Sequence, residues 1–172
     1  RFRALESGTF WLSETPDPVS KDWDAALPRI CTWALLKDTA SGQKIRVFNT
    51  HFDHMGQTAR LRSAELILEK IRLLNPGNDP VVLMGDLNSE PDSAPISILK
   101  KNLRDAHDVS AEPPFGPEGT FNAFRFDQPV TRRIDYIFTA PGFRVLQYAV
   151  LSDSRNCRYP SDHLAVLARV AW

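Results

Sequence analysis

The chain has 172 residues, of which 42% are hydrophobic and 24% are charged. Lysine plus arginine and aspartate plus glutamate are balanced at 21 each, so the formal net charge is zero. This balance argues against extensive nucleic-acid binding by charge alone, because such binding needs a basic face that neutralises many phosphates, whereas a local basic cleft is still compatible with it.

The predicted elements begin with a strand in "RFRALESGTFWLS", followed by a proline-rich loop. Residues 30–38 and 44–52 are β-rich runs separated by "TASGQ", which predicts a hairpin. From Thr58 to Leu74 the apolar residues recur every three or four positions, which predicts an amphipathic helix. The remaining predicted elements are the strand "VVLMGD", a short helix in "SAPISILKKN", and three closing strands in "RRIDYIFTA", "RVLQYAVLS" and "DHLAVLARV". This order favours mixed sheets covered by helices over a doubly wound parallel sheet.

Polar side chains stand at the ends of four predicted strands whose interiors are apolar. They are Asn49, Thr50, His51 and Asp53 in "FNTHFD", Asp86 and Asn88 in "VVLMGDLNS", Asp135 in "RRIDYIF", and Asp162 and His163 in "SDHLAV". Taken singly, an Asp or Asn after a strand most often caps a turn, and a lone His at a sheet edge is more often a satisfied structural group than a catalyst. If the four ends converge, however, their carboxylates are forced together, and a divalent cation is the usual remedy.

Four segments, "NTHFD", "GDLNSEPDS", "IDYIF" and "SDHLAV", resemble in order and separation the later motifs of the endonuclease/exonuclease/phosphatase superfamily. The resemblance runs from about residue 27 to the C-terminus, and "GDLN" with a downstream "SDH" is far more specific than either motif alone. The stretch "WDAALPRICTWALL" further resembles a bacterial branch of that superfamily. The resemblance implies an α/β (α+β) fold, a four-layer α-β-β-α sandwich of two mixed sheets with helices outside.

The resemblance also implies a role for each polar residue. Asp86 would position or deprotonate the water that attacks phosphorus, and Asn88 would hold that water or the phosphate. His163 would meet the phosphate, while Asp135 would fix its tautomer. The further residues implied at the phosphate are Arg29, Asn49 and His51, the last also as a catalytic residue.

A metal-side carboxylate is implied at Asp162. The expected ion is Mg²⁺, with Mn²⁺ as its replacement, because the candidate ligands are hard oxygens and there is no thiolate cluster. A zinc site built from His51, His54 and His163 is the competing hypothesis, although the sequence has no motif resembling H-E-x-x-H.

The function implied is a Mg²⁺-dependent phosphoester hydrolase, acting as a phosphodiesterase or nuclease or as a phosphatase. The alternative is a catalytically inactive phosphate-binding or scaffold module of the same fold. The substrate is expected to be a small phosphoester, a phospholipid headgroup or a nucleic-acid end. Aromatic residues near the motifs either form a rim that stacks a base or pack in the core: Trp23, Trp33, Phe121, Phe124 and Phe126.

The family's first motifs, an Asn after the first strand and a metal-binding Glu, have no counterpart before residue 27. We therefore expect residues 1–172 to be a single domain that forms the C-terminal part of a larger one. Its partner would be the upstream part of the same domain. The chain is then expected to hold one sheet and part of the other.

Overall fold

The computed structural model describes residues 1–171. In chain order its elements are β1 (Phe2–Trp11), β2 (Ile30–Asp38), β3 (Lys44–His51), α1 (Gln57–Leu74), β4 (Val81–Asp86), α2 (Ala94–Leu99), β5 (Arg104–Asp105), β6 (Asp135–Thr139), β7 (Arg144–Leu151) and β8 (Ala165–Ala171). Each strand and helix expected from the sequence is present, and β5 is an addition. No helix in this part of the chain is both long and apolar enough to cross a membrane.

A six-stranded sheet forms the centre of the molecule, with the strand order β1-β2-β3-β4-β6-β5. Strands β3 and β4 run parallel, whereas the other neighbours in this sheet are antiparallel. The parallel pair follows from α1, because two parallel strands need a crossover connection, and α1 lies between them in the chain. This mixed sheet confirms the expected sheet type.

Both helices pack on one face of the six-stranded sheet. Every second side chain of a strand points to this face. Phe48, Leu83 and Phe138 are among them and are fully buried beneath the helices. Helix α1 contributes Ala64 and Ile67 to the same cluster. This burial supplies most of the helical stability, since the N-cap residue of α1 makes no side-chain cap.

The opposite face of the sheet meets a second sheet, the antiparallel pair of β7 and β8. Val82 of β4 packs there with Phe143, and Val170 of β8 lies against them. Helices, a mixed sheet and a second sheet therefore follow each other in layers, as the expected α-β-β-α sandwich requires. That residues 1–172 form the C-terminal part of a larger domain stays a prediction.

The beginning of α1 is held by two acids from elsewhere in the chain. The Asp24 carboxylate accepts hydrogen bonds from the backbone N–H groups of Thr58 at 3.1 Å and Ala59 at 2.7 Å. Desolvation acts to raise the pKa of Asp24, but these donors outweigh it and hold the pKa below its ordinary value. Asp53 accepts a further bond from Gly56 N–H at 2.8 Å. The loop that contains Asp24 is thereby fixed to the start of α1.

Candidate active site

Three neighbouring strands of the large sheet bring polar residues to one place. His51 of β3 pairs in register with Asp86 of β4, and Asp86 pairs with Asp135 of β6. Paired residues on adjacent strands point to the same face of a sheet, which here is the face toward β7 and β8. The ends of these three strands therefore lie side by side.

Gly85 allows β3 and β4 to approach each other beside this cluster. Its φ of +140° lies in a region that L side chains rarely adopt, and a Cβ atom there would lie 1.8 Å from the backbone oxygen of Thr50. A larger residue would therefore separate the two strands whose ends contribute His51 and Asp86.

His163 joins the cluster from the segment that precedes β8. Its Nδ1 lies 2.7 Å from Asp135 Oδ2, and its Nε2 lies 3.8 Å from Asp86 Oδ2. His51 approaches the same Asp86 oxygen through Nε2 at 3.2 Å. Because an ionised carboxylate only accepts hydrogen bonds, Asp135 fixes the proton on Nδ1 of His163 and directs Nε2 toward Asp86.

Asn88 orients the Asp86 carboxylate. Its backbone N–H donates to Asp86 Oδ1 at 2.8 Å, and its side-chain amide donates to the backbone oxygen of Phe52 at 3.0 Å. The backbone of Asn88 has a positive φ of 44°, a conformation that Asn tolerates better than most residues. This turn holds the amide and the carboxylate side by side at the end of β4.

Burial dominates the electrostatics of Asp86 and raises its pKa above the ordinary value, and repulsion from Asp135 adds to the increase. The hydrogen bond from Asn88 and the two neighbouring histidines oppose it without cancelling it. Partial burial, together with the positive charges of Arg29 and His163, lowers the pKa of His51 despite the nearby carboxylates. His51 is therefore biased toward its neutral form.

Arg29 lies beside the cluster, on a loop anchored by Asp53. Arg29 Nη2 is 3.2 Å from His54 Nδ1, and Arg29 Nε is 3.7 Å from Asp53 Oδ2. The Asp53 carboxylate is buried and accepts backbone N–H bonds from Leu27 and Met55 as well as from Gly56. Desolvation opposes them, but these donors keep the pKa of Asp53 well below its usual range. The sequence analysis gave Asp53 no specific role. In the structure it holds this loop in place.

The remaining residues implied by the sequence lie at different distances from this centre. Asn49 lines a cavity of about 270 Å³ together with Asp86 and Asp135. Asp86, Asp135 and His163 each offer one potential metal-ligand atom, and these three atoms lie within 4.8 Å of one another. They are the group of three or more His, Cys, Asp or Glu side chains found in the part of the chain that the structure describes. Asp162 lies outside that group, with its Oδ1 3.4 Å from Ser161 Oγ, and its role as a metal ligand stays a prediction. The three-histidine zinc grouping is likewise not formed within residues 1–171.

Two further residues support the cluster through contacts that the sequence did not indicate. The buried Thr120 hydroxyl accepts the backbone N–H bonds of Ile134 and Asp135, both at 3.1 Å. The side-chain amide of Asn122 donates to the backbone oxygen of Ser161 at 3.1 Å. Both contacts join segments that are distant in the chain, so that neither periodicity nor a short motif could have indicated them.

The aromatic residues divide between the two interpretations that the sequence left open. Trp33 packs against the helical core, with the Arg46 guanidinium 5.4 Å from its ring centroid. Phe121 contacts His163 edge-on, with ring centroids 5.1 Å apart. Phe124 is 62% exposed. Trp33 thus fits core packing, Phe121 supports the histidine ring, and an aromatic rim for stacking a base stays a prediction.

Comparison with known proteins agrees with this geometry. A model of the endonuclease/exonuclease/phosphatase family matches residues 6–163. The chain belongs to this family. The match covers most of the chain and confirms the resemblance read from the strand-end motifs. Comparison with curated proteins gave no match.

Solved structures of family members resemble the chain closely. A mannosyl-6-phosphatase from Bacteroides thetaiotaomicron VPI-5482 is 40% identical with a TM-score of 0.94, and the match covers 99% of this chain and 67% of that one. A conserved protein of unknown function from Enterococcus faecalis V583 is 37% identical with a TM-score of 0.92, over 99% of this chain and 67% of that one. The catalytic domain of human Nocturnin, at 21% identity and a TM-score of 0.74, covers 99% and 60% and shares the fold. The chain spans about two thirds of the length of these bacterial relatives.

Proposed function

We propose that the protein hydrolyses phosphate esters by attack of water on phosphorus, with the assistance of a divalent cation. The observation that supports this most directly is the hydrogen bond from His163 to Asp135, next to the partly buried Asp86. A positioned acid or base next to an oriented imidazole is the arrangement that general acid–base catalysis requires. Family membership and the phosphatase neighbour point to the same class of reaction.

The donor chemistry of the cluster fits a hard divalent cation. Asp86 and Asp135 bring two carboxylates together at partly buried positions, and their mutual repulsion helps to raise the pKa of Asp86. Because Asp135 Oδ2 is already bonded to His163 and Asp86 is assigned to the attacking water, Asp162 stays the carboxylate of this chain that would hold the ion. When bound, Mg²⁺ or Mn²⁺ would stabilise negative charge on the phosphate and on the leaving oxygen.

The side chains of this protein have the following roles in the proposed reaction. Asp86 accepts a proton from the attacking water, while the amide of Asn88 orients the water or the phosphate. Asp135 stabilises the imidazolium form of His163, so that Nε2–H donates to a phosphate oxygen. Arg29, Asn49 and His51 bind further phosphate oxygens. As the P–O bond to the alcohol breaks, the leaving oxygen takes a proton from solvent water, and Asp86 later releases its own proton to solvent, so that the products are free alcohol and phosphate.

A monoester is the proposed substrate type. The relative that is 40% identical is named a mannosyl-6-phosphatase, and the balanced charge of this chain does not provide for tracking a long polyanion. We therefore propose a phosphorylated sugar as the substrate, rather than a nucleic-acid end or a phospholipid headgroup. The alternative, a module of the same fold that binds phosphate without turnover, predicts binding with no product.

The test is the release of p-nitrophenol from p-nitrophenyl phosphate and from its bis-ester, with and without Mg²⁺. We expect faster release from the monoester, and loss of release in His163→Ala. Asp17→Asn, an exposed acid in the loop after β1, is the matched control and should behave like wild type. Absence of magnesium-dependent release from either compound, with the folded protein still binding inorganic phosphate, would favour the non-catalytic module.

A further inference from the structure

A cleft of about 680 Å³ opens next to the candidate active site and is not explained by the chemistry at phosphorus. Its walls are the start of α1, the segment between β4 and α2, and Arg132. Asn88 belongs to both places, because it lines the cleft while its backbone N–H binds Asp86. A group bonded to a phosphate at Asp86 can therefore extend into this space. The volume lies within the roughly 300 to 1,000 Å³ range of small-molecule sites.

The side chains that line the cleft are mainly hydrogen-bonding groups. Gln57 and Thr58 come from the first turn of α1, and Ser93 comes from the residue before α2. The described residues that line the cleft include no Phe, Tyr or Trp, and its flat groups are His54 and two arginines, Arg60 and Arg132. Its polar groups instead match an alcohol with several hydroxyls, since each hydroxyl both donates and accepts.

The charges in the cleft are mixed and partly paired. Arg132 Nε is 3.4 Å from Glu90 Oε1, and both side chains are more than half exposed. Arg60 uses Nη1 to donate to the backbone oxygen of Asp53 at 3.0 Å. An acid and arginines at the edge of one pocket suit a neutral, hydroxyl-rich group, because Glu90 accepts from hydroxyls and Arg132 donates to them.

One buried group in the cleft has a hydrogen-bonding capacity that its surroundings do not use. Ser89 lines the cleft and is 5% exposed, and its hydroxyl has no hydrogen-bond partner among the described residues. Its Oγ atom is itself shielded from solvent, so this hydroxyl belongs to the wall of the cleft and is not in direct reach of a ligand. The neighbouring backbone oxygen of Ser89 is already bonded to Tyr136, which fixes this segment in place.

We infer that this cleft binds the alcohol part of the substrate, and that this part is a hydroxyl-rich group of the size of a hexose. The inference rests on the proposed hydrolysis of a phosphorylated sugar and deepens it by locating the residues that bind the sugar. Recognition comes from hydrogen bonds by Gln57, Glu90 and Arg132 to the ring hydroxyls. A site built to bind hydroxyls rejects an analogue that lacks them, because its polar groups are then left unpaired.

The test compares two esters that differ only in the hydroxyls of the ring. Mannose 6-phosphate and cyclohexylmethyl phosphate both place a six-membered ring one carbon from the ester oxygen, but the second has no hydroxyls. With the purified protein that contains the whole chain and Mg²⁺, we expect kcat/KM to be at least about tenfold higher for the sugar phosphate. A terminally phosphorylated trinucleotide is the third substrate, and a preference for it would overturn the inference.

Variants of two lining residues test whether the preference for the sugar phosphate arises in the cleft. Gln57→Leu and Glu90→Leu remove hydrogen-bonding groups from the cleft at exposed positions, where folding is least affected. Each should lower kcat/KM for mannose 6-phosphate about five- to tenfold and leave cyclohexylmethyl phosphate within about twofold of wild type. Glu65→Leu, at an exposed position of α1 outside the cleft, is the matched control and should change neither rate.

The outcomes separate this inference from the proposed function. Hydrolysis of p-nitrophenyl phosphate and of both ring esters at similar rates would overturn the sugar assignment and leave the hydrolase intact. Equal losses for both ring esters in the cleft variants would also overturn it. Failure to hydrolyse any of these esters, p-nitrophenyl phosphate included, would refute the proposed function itself.

Discussion

His163 Nδ1 lies 2.7 Å from Asp135 Oδ2, and this contact joins the segment before β8 to the first residue of β6. The phenyl ring of Phe121 contacts the other side of the imidazole, edge-on. A histidine held from two sides keeps one ring orientation and one tautomer. Its Nε2 consequently faces Asp86, and the three residues work as one unit rather than as separate groups.

Removal of either member of this pair should impair turnover. We expect His163→Ala to lower kcat about 10²- to 10⁴-fold, and Asp135→Asn to have a comparable or smaller effect, because an amide can still bond the ring but no longer favours the imidazolium. Steady-state kinetics with p-nitrophenyl phosphate measures both, with circular dichroism to verify folding. A folded His163→Ala protein with wild-type kcat would contradict the assignment.

Asp86→Asn should separate activity from stability. The pKa of Asp86 is raised above its ordinary 3.8, so the folded state binds a proton more tightly than the unfolded state. That contribution to stability is present below pH 3.8 and is lost as the pH rises through the raised value, so at pH 7 the charged carboxylate lowers stability. Without metal, Asp86→Asn should therefore melt at a higher temperature than wild type at pH 7, and the difference should shrink below about pH 4.

The same variant should lose turnover by about 10²- to 10⁴-fold, since the nearly isosteric amide cannot accept a proton from water. Differential scanning calorimetry from pH 3 to pH 7 in a chelator, alongside kinetics in Mg²⁺, measures the two effects. A melting temperature at pH 7 below that of wild type would show that the carboxylate stabilises the fold, contrary to its burial and its repulsion by Asp135.

Site residues at strand ends and in short motifs could be predicted from the sequence, whereas residues that act through long-range contacts could not. The ends of the runs that form β3 and β4 indicated where His51 and Asp86 would lie, because neighbouring strands of one sheet can end at a common edge. β5 was missed, since two residues, Arg104 and Asp105, are too few to show a period. Its position depends on a buried ion pair, in which Arg133 Nη1 lies 2.8 Å from Asp105 Oδ2. Such a long-range pairing leaves no local pattern.

Thr120 illustrates the same limit and leads to a test. Its hydroxyl is the shared acceptor for two N–H groups at the start of β6, so Thr120→Val should leave both without a partner and shift Asp135. We expect a loss of about 1 to 3 kcal/mol in unfolding free energy and a several-fold decrease in kcat with little change in KM. Thr120→Ser, which restores the hydroxyl, should recover both. If Val and Ser behave alike, the hydroxyl does not position Asp135.

Metal removal should abolish activity. We expect a chelator such as EDTA to stop hydrolysis, and Mg²⁺ or Mn²⁺ to restore it, whereas Ca²⁺ alone should not, because Mg²⁺ enforces a tighter octahedral geometry. Asp162→Asn should raise the Mg²⁺ concentration needed for half-maximal rate if this acid is a ligand. Titration of activity against Mg²⁺ in wild type and variant provides the measurement, and undiminished activity in excess chelator would exclude the metal-assisted proposal.

The final prediction concerns Gly85, which determines how closely β3 and β4 approach. A Cβ atom at this position would lie 1.8 Å from the Thr50 oxygen, and the φ of +140° is strained for any other residue. Gly85→Ala should therefore lower the unfolding free energy by at least about 3 kcal/mol and reduce turnover by displacing His51 from Asp86. Gly142→Ala, where nothing lies within 4 Å of the added carbon, is the matched control and should stay within about 0.5 kcal/mol of wild type. Urea unfolding measures both, and equal midpoints for the two variants would mean that the strands adjust to the added methyl group without cost.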